Sequence, residues 1–175
     1  DIIDKVRAGT LAAALVDGPA THDDLNGCIA FREEMVLITS LDHDPITSAR
    51  DTQHDTLFAF GNSCSYRTKL ESWYRESQTS PKSVMEIQSY HAMVACVAGG
   101  AGVAMIPASV LTQMPGRARV QEHALPPAYR DTATWLMWRR DAFTPNVEAL
   151  KYLIIEMFDD RPLNDELLHP LQTAE

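Results

Sequence analysis

The chain has 175 residues, of which 45% are hydrophobic and 22% charged, and this is the composition of an ordinary folded domain. No run approaches the 18 or so apolar residues that a membrane-spanning helix requires, so a membrane protein is not expected. Fifteen lysines and arginines against 24 aspartates and glutamates give a net charge of −9, which disfavours binding to a nucleic-acid backbone.

The predicted elements alternate between helix and strand, and this order is typical of an α/β fold. In chain order we expect the end of a helix over 1–8, strands over 11–16, 28–31, 35–39 and 57–60, a helix over 65–77, a strand over 83–87, a helix over 89–98, a strand over 103–106, a short helix and turn over 110–115, strands over 117–124 and 132–138, and a helix from Thr144 to Arg161-Pro162. The charged residues Arg32, Glu33 and Glu34 are expected to form a solvated turn, and 163–175 a loosely attached tail.

The segment from Gln88 to Val110 reads QSYHAMVACVAGGAGVAMIPASV and predicts a helix, a tight turn and a buried strand. Its glycines close the helix, because glycine adopts left-handed backbone and allows another backbone to approach closely. The apolar residues 103–106 suit a strand that is covered on both faces. These glycines end a helix and precede a strand, which is the reverse of a phosphate-binding loop, so we interpret them as packing devices.

Polar side chains cluster where the predicted helix 65–77 begins. Residues 62–65, with the sequence NSCS, bring amide, hydroxyl and thiol groups to a helix N-terminus, where N–H groups and the helix dipole attract anions. One polar residue would suffice to cap the helix, so we expect the group to contact a ligand. Arg67 is a candidate partner for a ligand carboxylate, although it also lies four residues before Glu71 and could form an ion pair with it.

Cys64 supports a competing interpretation, because a helix N-terminus lowers the pKa of a thiol and favours the nucleophilic thiolate. A cysteine hydrolase would need a base, and His91, at the start of another helix, is the nearest candidate. Nothing in the sequence brings these two residues together, so an enzyme or a redox sensor is the less favoured interpretation. The three cysteines and six histidines show no metal-ligand spacing, and we expect neither a metal site nor a cofactor.

Five segments, in order, resemble the effector-binding domain of LysR-type transcriptional regulators. They are AGTLAAALVDGP, MVLITSLDHDP, FAFGNSCSYRTKLESW, VACVAGGAGVAMIP and ATWLMWRRD. The resemblance covers nearly the whole chain and implies a type 2 periplasmic-binding-protein-like α/β fold, in which two Rossmann-like lobes are joined by two crossing strands. It implies a first lobe over 1–41 and 143–175, a second lobe over 42–142, and crossing strands over 35–40 and 134–139.

The same resemblance implies a domain that binds a small polar metabolite between its lobes and is not an enzyme. The implied effector contacts lie at a strand end in the first lobe, on a crossing strand and at two helix starts. They are Val16, Asp17, Gly18, Thr39, Ser40, Asn62, Ser63, Cys64, Ser65, Tyr66, Arg67, Tyr90 and His91. The chemistry of the helix start favours a small carboxylate or an amino acid as effector, while the acidic net charge leaves an amine possible.

Members of this family are homodimers, or tetramers at full length, and they bind DNA through an N-terminal winged helix-turn-helix. From the resemblance we expect this sequence to lack that segment and the first strand of the first lobe. We therefore expect a cytoplasmic homodimer without DNA contacts of its own or membrane attachment, with an incomplete pocket and with helix 89–98 in its dimer contact. Two alternatives stay open: a periplasmic-type solute-binding protein, which shares the fold, and a module that serves only oligomerisation.

Overall fold

The computed structural model describes residues 2–18 and 21–158. The helices in these ranges are α1 (Ile2–Arg7), α2 (Ser65–Glu76), α3 (Tyr90–Ala98), α4 (Ala108–Thr112), α5 (Pro127–Arg130) and α6 (Pro145–Phe158), with short 3-10 helices at Ala49–Thr52 and Arg117–Arg119. The strands are β1 (Ala13–Asp17), β2 (Leu25–Ser40), β3 (Thr56–Ala59), β4 (Ser83–Glu86), β5 (Val103–Pro107), β6 (Val120–Ala124) and β7 (Asp131–Arg139). The predicted tail and the predicted helix end at Arg161-Pro162 lie outside the described residues.

The chain divides into two compact units. The first comprises the described residues up to Arg32 and from Thr132 to Phe158, and the second is Glu33–Asp131. The chain passes from the first unit to the second within β2, and it returns at the beginning of β7. Both changes come earlier in the sequence than the lobe boundaries that the resemblance implies. No helix within the described ranges is long and apolar enough to cross a membrane.

In the first unit, β7 lies between β1 and β2 in the strand order. β1 and β7 are antiparallel, with Ala13 opposite Trp138 and Asp17 opposite Thr134. Two apolar clusters form here, one with α1 and one with α6, and successive residues of β7 contribute to them in turn because neighbouring strand residues point to opposite faces. The first contains Val6, Ala14, Leu25 and Met137, and the second Ala30, Leu136, Trp138, Val147 and Ile154.

The second unit is built on strands in the order β6-β2-β5-β3-β4. β2 runs antiparallel to β5 and β6, whereas β3 runs parallel to β4 and β5. The C-terminal ends of β3, β4 and β5 therefore meet at one edge, which we call the carboxyl edge. The part of β2 in this unit starts at that edge, because Met35 pairs with Pro107 at the end of β5, while Ile38 pairs with Ala104 near its beginning.

Both faces of the central strands of this sheet are buried, while the edge strand β4 is exposed. One face packs against α2 and the other against α3, and successive strand residues alternate between them. The cluster on the α2 side includes Met35, Leu37, Leu57, Leu70, Trp73, Val103 and Met105. The cluster on the α3 side includes Ile38, Phe58, Met93, Val97, Ala104 and Ile106. The predicted burial of 103–106 on both faces is confirmed, since all residues of β5 are buried.

β2 is a single strand of 16 residues, so the prediction of two strands separated by a charged turn at 32–34 is wrong. Neighbouring strand residues point to opposite faces, and the two glutamates do so here. Glu33 is half-buried and accepts a hydrogen bond from Ser109, while Glu34 is exposed and lies 4.0 Å from Arg130. Because each carboxylate finds a partner on its own face, the charges do not interrupt the strand.

The turn between α3 and β5 depends on glycine geometry, as the sequence predicts. Gly100 has a φ of +75°, and the N–H groups of Gly100 and its successor donate to the carbonyls of Val97 and Cys96 at 2.9 and 3.1 Å. This is the Schellman arrangement that ends a helix. Gly102, with a φ of +157°, passes so close to Thr56 that an added Cβ would lie 2.1 Å from the Thr56 carbonyl oxygen. Both glycines therefore serve the backbone and its packing.

Candidate functional site

Three helices of the second unit begin near the carboxyl edge, since α2 follows β3, α3 follows β4 and α4 follows β5. Ligands of α/β proteins bind at such an edge because loops and helix N-termini gather there. Side chains from these helix starts and from β2 come together at the edge. They form the candidate site of this unit.

The start of α2 is not capped by its own cap residue. Cys64 occupies the cap position, but its thiol makes no capping hydrogen bond. At α3, by contrast, the Ser89 hydroxyl accepts a hydrogen bond from the Ala92 N–H at 3.4 Å. The N–H groups of a first helical turn have no acceptor within the helix. The first turn of α2, like that of α4, therefore depends on partners other than its cap residue.

The polar residues 62–65 surround this helix start. Asn62 and Ser63 are exposed, whereas Cys64 and Ser65 are half-buried. Beneath them lies a cavity of about 10 Å³, which is lined by Cys64, Tyr66, Arg67 and apolar side chains. A space of this size holds about one water molecule. A metabolite that contacts residues 62–65 would therefore use their exposed side rather than this cavity.

The side chain of Arg67 is only 16% exposed and already has three partners, of which the Glu86 carboxylate at the end of β4 lies 4.0 Å from its Nη1. Its Nε donates to Glu71 at 2.7 Å, and its Nη1 donates to the carbonyl oxygen of Phe60 at 3.2 Å. The ion pair that competes with ligand binding is thus formed. A guanidinium has five N–H donors, however, and these bonds use two of them. The bond to Phe60, the residue directly after β3, holds Arg67 at the carboxyl edge.

Tyr90, at the start of α3, packs its ring edge-on against Phe60, with ring centroids 4.8 Å apart and planes at 84°. Burial raises the pKa of Tyr90 well above its usual range, and the neighbouring Tyr66, Cys64 and Glu33 raise it further. The Tyr90 side chain is therefore a neutral phenol at physiological pH. The same neighbours indicate that the starts of α2 and α3 share one electrostatic environment with Glu33.

Glu33 is the residue of this site that the sequence interpretation missed. Its Oε1 accepts a hydrogen bond from the Ser109 hydroxyl at 2.5 Å, and its Oε2 accepts one from the Tyr66 hydroxyl at 3.5 Å. A signal was available in the sequence: in one continuous strand, Glu33 has the same phase as the apolar residues Phe31 and Met35. That phase directs a carboxylate toward the packed side of the strand, where it needs hydrogen-bond donors.

Thr39 and Ser40 are not brought together with the starts of α2 and α3. The pairing of β2 with β5 places both residues at the edge opposite to the carboxyl edge. The Thr39 side chain is fully buried, and its hydroxyl is hydrogen-bonded to His123 Nε2 at 2.8 Å. Ser40 lines a separate cavity of about 380 Å³ with Leu41, Asp42, Ala98, Gly99, Gly100 and Arg119.

Two histidines lie at this opposite edge, and one of them, His123, contacts Thr39. His43 is bonded to the Asp55 carboxylate at 3.1 Å and to the Asp44 carbonyl at 2.7 Å. Burial lowers the pKa of His43, but these two hydrogen bonds and the charges of Asp55 and Asp44 together hold the pKa above its ordinary value. Burial and the nearby His43 both lower the pKa of His123. The Thr39 hydroxyl is therefore part of a structural polar network between β2 and β6.

Val16, Asp17 and Gly18 belong to the first unit, at the end of β1. The Asp17 carboxylate accepts a hydrogen bond from the Thr132 hydroxyl at 2.8 Å. Gly18 has a φ of +74°, and its N–H donates to the carbonyl of Ala133 at 3.1 Å. The strand end is thus held by its pairing with β7, and the Asp17 side chain has a partner within the unit.

The described residues form no catalytic pair at Cys64. His91, the predicted base, is exposed on α3, and no hydrogen bond in the described part of the chain joins it to Cys64. The same residues contain no group of three or more His, Cys, Asp or Glu side chains that could hold a metal ion. What the carboxyl edge offers instead is hydrogen-bond donors and acceptors for a bound molecule.

Comparison with known proteins identifies relatives of this chain. The family model of the LysR substrate binding domain matches residues 1–159. The chain is 34% identical over 140 residues to the HTH-type transcriptional regulator GltR of Bacillus subtilis (strain 168), with 79% of this chain and 47% of that protein covered. It is 30% identical over 146 residues to the HTH-type transcriptional regulator SoxR of Arthrobacter sp. (strain TE1826), with 83% and 50% covered.

Solved structures show the same fold at low sequence identity. The regulatory domain of Synechocystis PCC6803 CcmR in complex with 2-PG superposes with a TM-score of 0.77 at 12% identity, over 93% of this chain and 80% of that one. The effector-binding domain of QuiR in complex with shikimate gives a TM-score of 0.69 at 18% identity, over 93% and 78%. The fold is the type 2 periplasmic-binding-protein-like fold that the resemblance implies.

These comparisons confirm the family that the five sequence segments indicate. The chain spans about half the length of the relatives GltR and SoxR. By the family model, which matches most of its length, the chain belongs to the LysR substrate-binding domain family.

Proposed function

We propose that this chain is the effector-sensing domain of a bacterial LysR-type transcriptional regulator. The observation that carries the proposal is the start of α2, where residues 62–65 and Arg67 offer donors at the carboxyl edge without a side-chain cap. Membership of the family supports it. So do the structures of CcmR and QuiR, which were solved with small molecules bound to their regulatory or effector-binding domains.

The donors at this helix start favour an effector that carries a carboxylate, either a small carboxylic acid or an amino acid. Asn62, Ser63 and Ser65 would supply hydrogen bonds, and Arg67 would supply the positive charge. Tyr66 and Tyr90 would add hydroxyl groups, and the exposed His91 lies next to Tyr90 on α3. Binding would shift the population of domain conformations, and a dimer contact that includes α3 would pass this shift to the rest of the regulator.

In this role the domain is not an enzyme, and it works as a homodimer in the cytoplasm, or as a tetramer in the complete regulator. The complete regulator would contact DNA through a helix-turn-helix domain of the kind that the names of its relatives GltR and SoxR record. The chain itself supplies the ligand-dependent part of the response.

A thermal melt of the purified chain against a panel of organic acids, amino acids and amines tests this function. A ligand present at 100 times its dissociation constant should add about 2.7 kcal/mol to the free energy of unfolding and raise the melting temperature. If no member of a broad metabolite panel shifts the melt, the domain is not an effector sensor, and an oligomerisation role would replace the proposal.

Substitution of Arg67 tests whether this residue contacts the carboxylate of the effector. Arg67→Ala should weaken binding of the stabilising acid at least about tenfold, because a charge-assisted hydrogen bond is lost. Arg75→Ala is the matched control: Arg75 lies on the same helix, is exposed and bonds to Ser72 at 2.7 Å. Equal affinities for wild type and Arg67→Ala would show that Arg67 only makes its contacts within the chain, with Glu71, Phe60 and Glu86.

A further inference from the structure

A second polar feature at the carboxyl edge would attract a positively charged group of a ligand, whereas Arg67 would attract a negatively charged one. Glu33 comes from β2, Tyr66 from α2 and Ser109 from α4, so three separate elements bring their side chains together. Both hydroxyls donate to the Glu33 carboxylate, at 3.5 and 2.5 Å. We call these three residues the Glu33 group.

The Glu33 group leaves the carboxylate open to a further donor. A carboxylate has about four lone-pair sites, and the two hydroxyls use two of them. Glu33 is half-buried rather than enclosed, so a bound molecule can reach it. No lysine or arginine in the described part of the chain forms an ion pair with Glu33, in contrast to Glu34, which lies 4.0 Å from Arg130.

Charge decides which ligand group fits beside Glu33. A second carboxylate placed there would be repelled, and it would offer no donor to the Glu33 oxygens. A protonated amine offers both a positive charge and up to three N–H donors, and the resulting charge-assisted hydrogen bonds are the strong class. The Tyr66 ring joins the two features, because Tyr66 lies in the first turn of α2 while its hydroxyl contacts Glu33.

We propose that Glu33 accepts hydrogen bonds from the protonated amine of the effector, and that the effector is therefore an amino acid rather than a plain carboxylic acid. The proposal rests on the effector-sensing function above and narrows its ligand class. The amino acid places its carboxylate at the start of α2 and its amine beside Glu33. An amine without a carboxylate satisfies only one of the two features and binds more weakly.

The competing explanation is structural: the Glu33 group would only tie α2 and α4 to β2. The two explanations differ in ligand selectivity. A structural role makes the loss of the Glu33 charge affect all ligands equally. A direct contact makes the loss affect amino acids but spare their des-amino counterparts, which bring no amine to the site.

The experiment measures the binding of the twenty common amino acids, and of the matched acid that lacks the amine, for example succinate for aspartate and glutarate for glutamate. At least one amino acid should raise the melting temperature, and its des-amino counterpart should bind at least about tenfold more weakly. Glu33→Gln keeps the shape and should lower affinity for the amino acid about tenfold or more, while affinity for the counterpart stays the same. The control Glu34→Gln, on the opposite face of β2, should change neither affinity.

Ser109→Ala gives a second test if Glu33→Gln folds poorly. It removes one hydroxyl but keeps the carboxylate, so the preference for the amino acid over its counterpart should persist. Equal binding of both members of a pair, unchanged amino-acid affinity in Glu33→Gln, or lack of binding by every amino acid would overturn the proposal. If carboxylic acids bind and amino acids do not, effector sensing stands and only this inference fails. If neither class nor any amine binds, both fail.

Discussion

At the scale of single residues, the buried pair of Tyr74 and Thr52 shows how a hydroxyl is stabilised inside the second unit. The Thr52 hydroxyl donates to the Ala49 carbonyl at 2.9 Å, so the Tyr74 hydroxyl, 2.7 Å away, is the donor to Thr52. Burial raises the pKa of Tyr74 to about 12. The folded chain therefore resists ionisation of this phenol.

This pKa predicts a loss of stability at high pH. In the unfolded chain Tyr74 ionises near 10.0, and in the folded chain near 12, so the unfolded state loses its proton first and stability falls as pH rises above 10. Tyr74→Phe should cost about 1 kcal/mol at neutral pH, because one hydrogen bond is lost. The stability difference between wild type and variant should then shrink by about 1 kcal/mol by pH 11.

Urea denaturation at several pH values measures both effects. Tyr152→Phe is the control, because Tyr152 is exposed on α6 and its replacement should leave stability and its pH dependence nearly unchanged. A constant difference between wild type and Tyr74→Phe from neutral pH to pH 11 would contradict the burial of an un-ionised phenol.

Residues of the candidate site were predictable in part. The polar residues 62–65 stand out because four polar side chains in succession exceed what one helix cap needs. Glu33 did not stand out, because three charged residues in succession are more common in turns than in strands. Its role depends on Ser109, which is 76 residues away in the sequence. A contact of that separation is created by the fold and has no local pattern.

At the scale of elements, the turn from α3 to β5 follows from local chemistry. Helix end, glycine turn and buried strand each have their own sequence signature, and the signatures agree with one another. β2 was harder to predict, because its burial alternates around a charged pair and the strand continues where a turn was expected. Its continuity comes from partners on β5, β6 and β7 rather than from its own residues.

Gly102 is expected to tolerate no side chain. Gly102→Ala should destabilise the chain by about 3 kcal/mol or more, because the added Cβ would lie 2.1 Å from the Thr56 carbonyl oxygen, at a φ of +157°. Shifting Thr56 would disturb the start of β3, which pairs with β5. Equilibrium denaturation in urea measures the change.

Gly100→Ala is the matched control for this substitution. Gly100 also has a positive φ, +75°, but an added Cβ would meet nothing within 4 Å. It should therefore cost only about 1 kcal/mol, the strain of a left-handed alanine. Similar losses for the two variants would show that backbone conformation, rather than the contact with Thr56, makes Gly102 necessary.

At the scale of the whole molecule, the alternation of helix and strand and the order of five segments were enough to predict the fold and the family. The sequence did not show that Thr39 and Ser40 lie at the edge opposite to the start of α2. That separation is set by the antiparallel pairing of β2 with β5, and antiparallel and parallel neighbours cannot be distinguished from the strand sequences alone.

Because the net charge of the chain is −9, we predict that this chain alone does not bind DNA. The basic residues that come nearest to forming a patch are Arg117 with Arg119 and Arg139 with Arg140. Acidic side chains partly neutralise both groups, because Arg117 forms an ion pair with Glu122 at 2.9 Å and Arg139 forms one with Asp141. Non-specific DNA binding needs several phosphate contacts and then gives dissociation constants of roughly 10⁻⁴–10⁻⁶ M. Arginines that already form ion pairs, on a chain with a negative net charge, do not supply that many phosphate contacts.

Fluorescence anisotropy of a labelled DNA duplex, titrated with the chain at low and at physiological salt, tests the prediction. The signal should stay flat up to about 10⁻⁴ M protein, while a basic protein of similar size should bind and be released by salt. Saturable, salt-sensitive binding by this chain would show that its surface gathers positive charge despite the acidic total. DNA contact would then be a property of this domain itself, and the division of labour proposed for the complete regulator would be wrong.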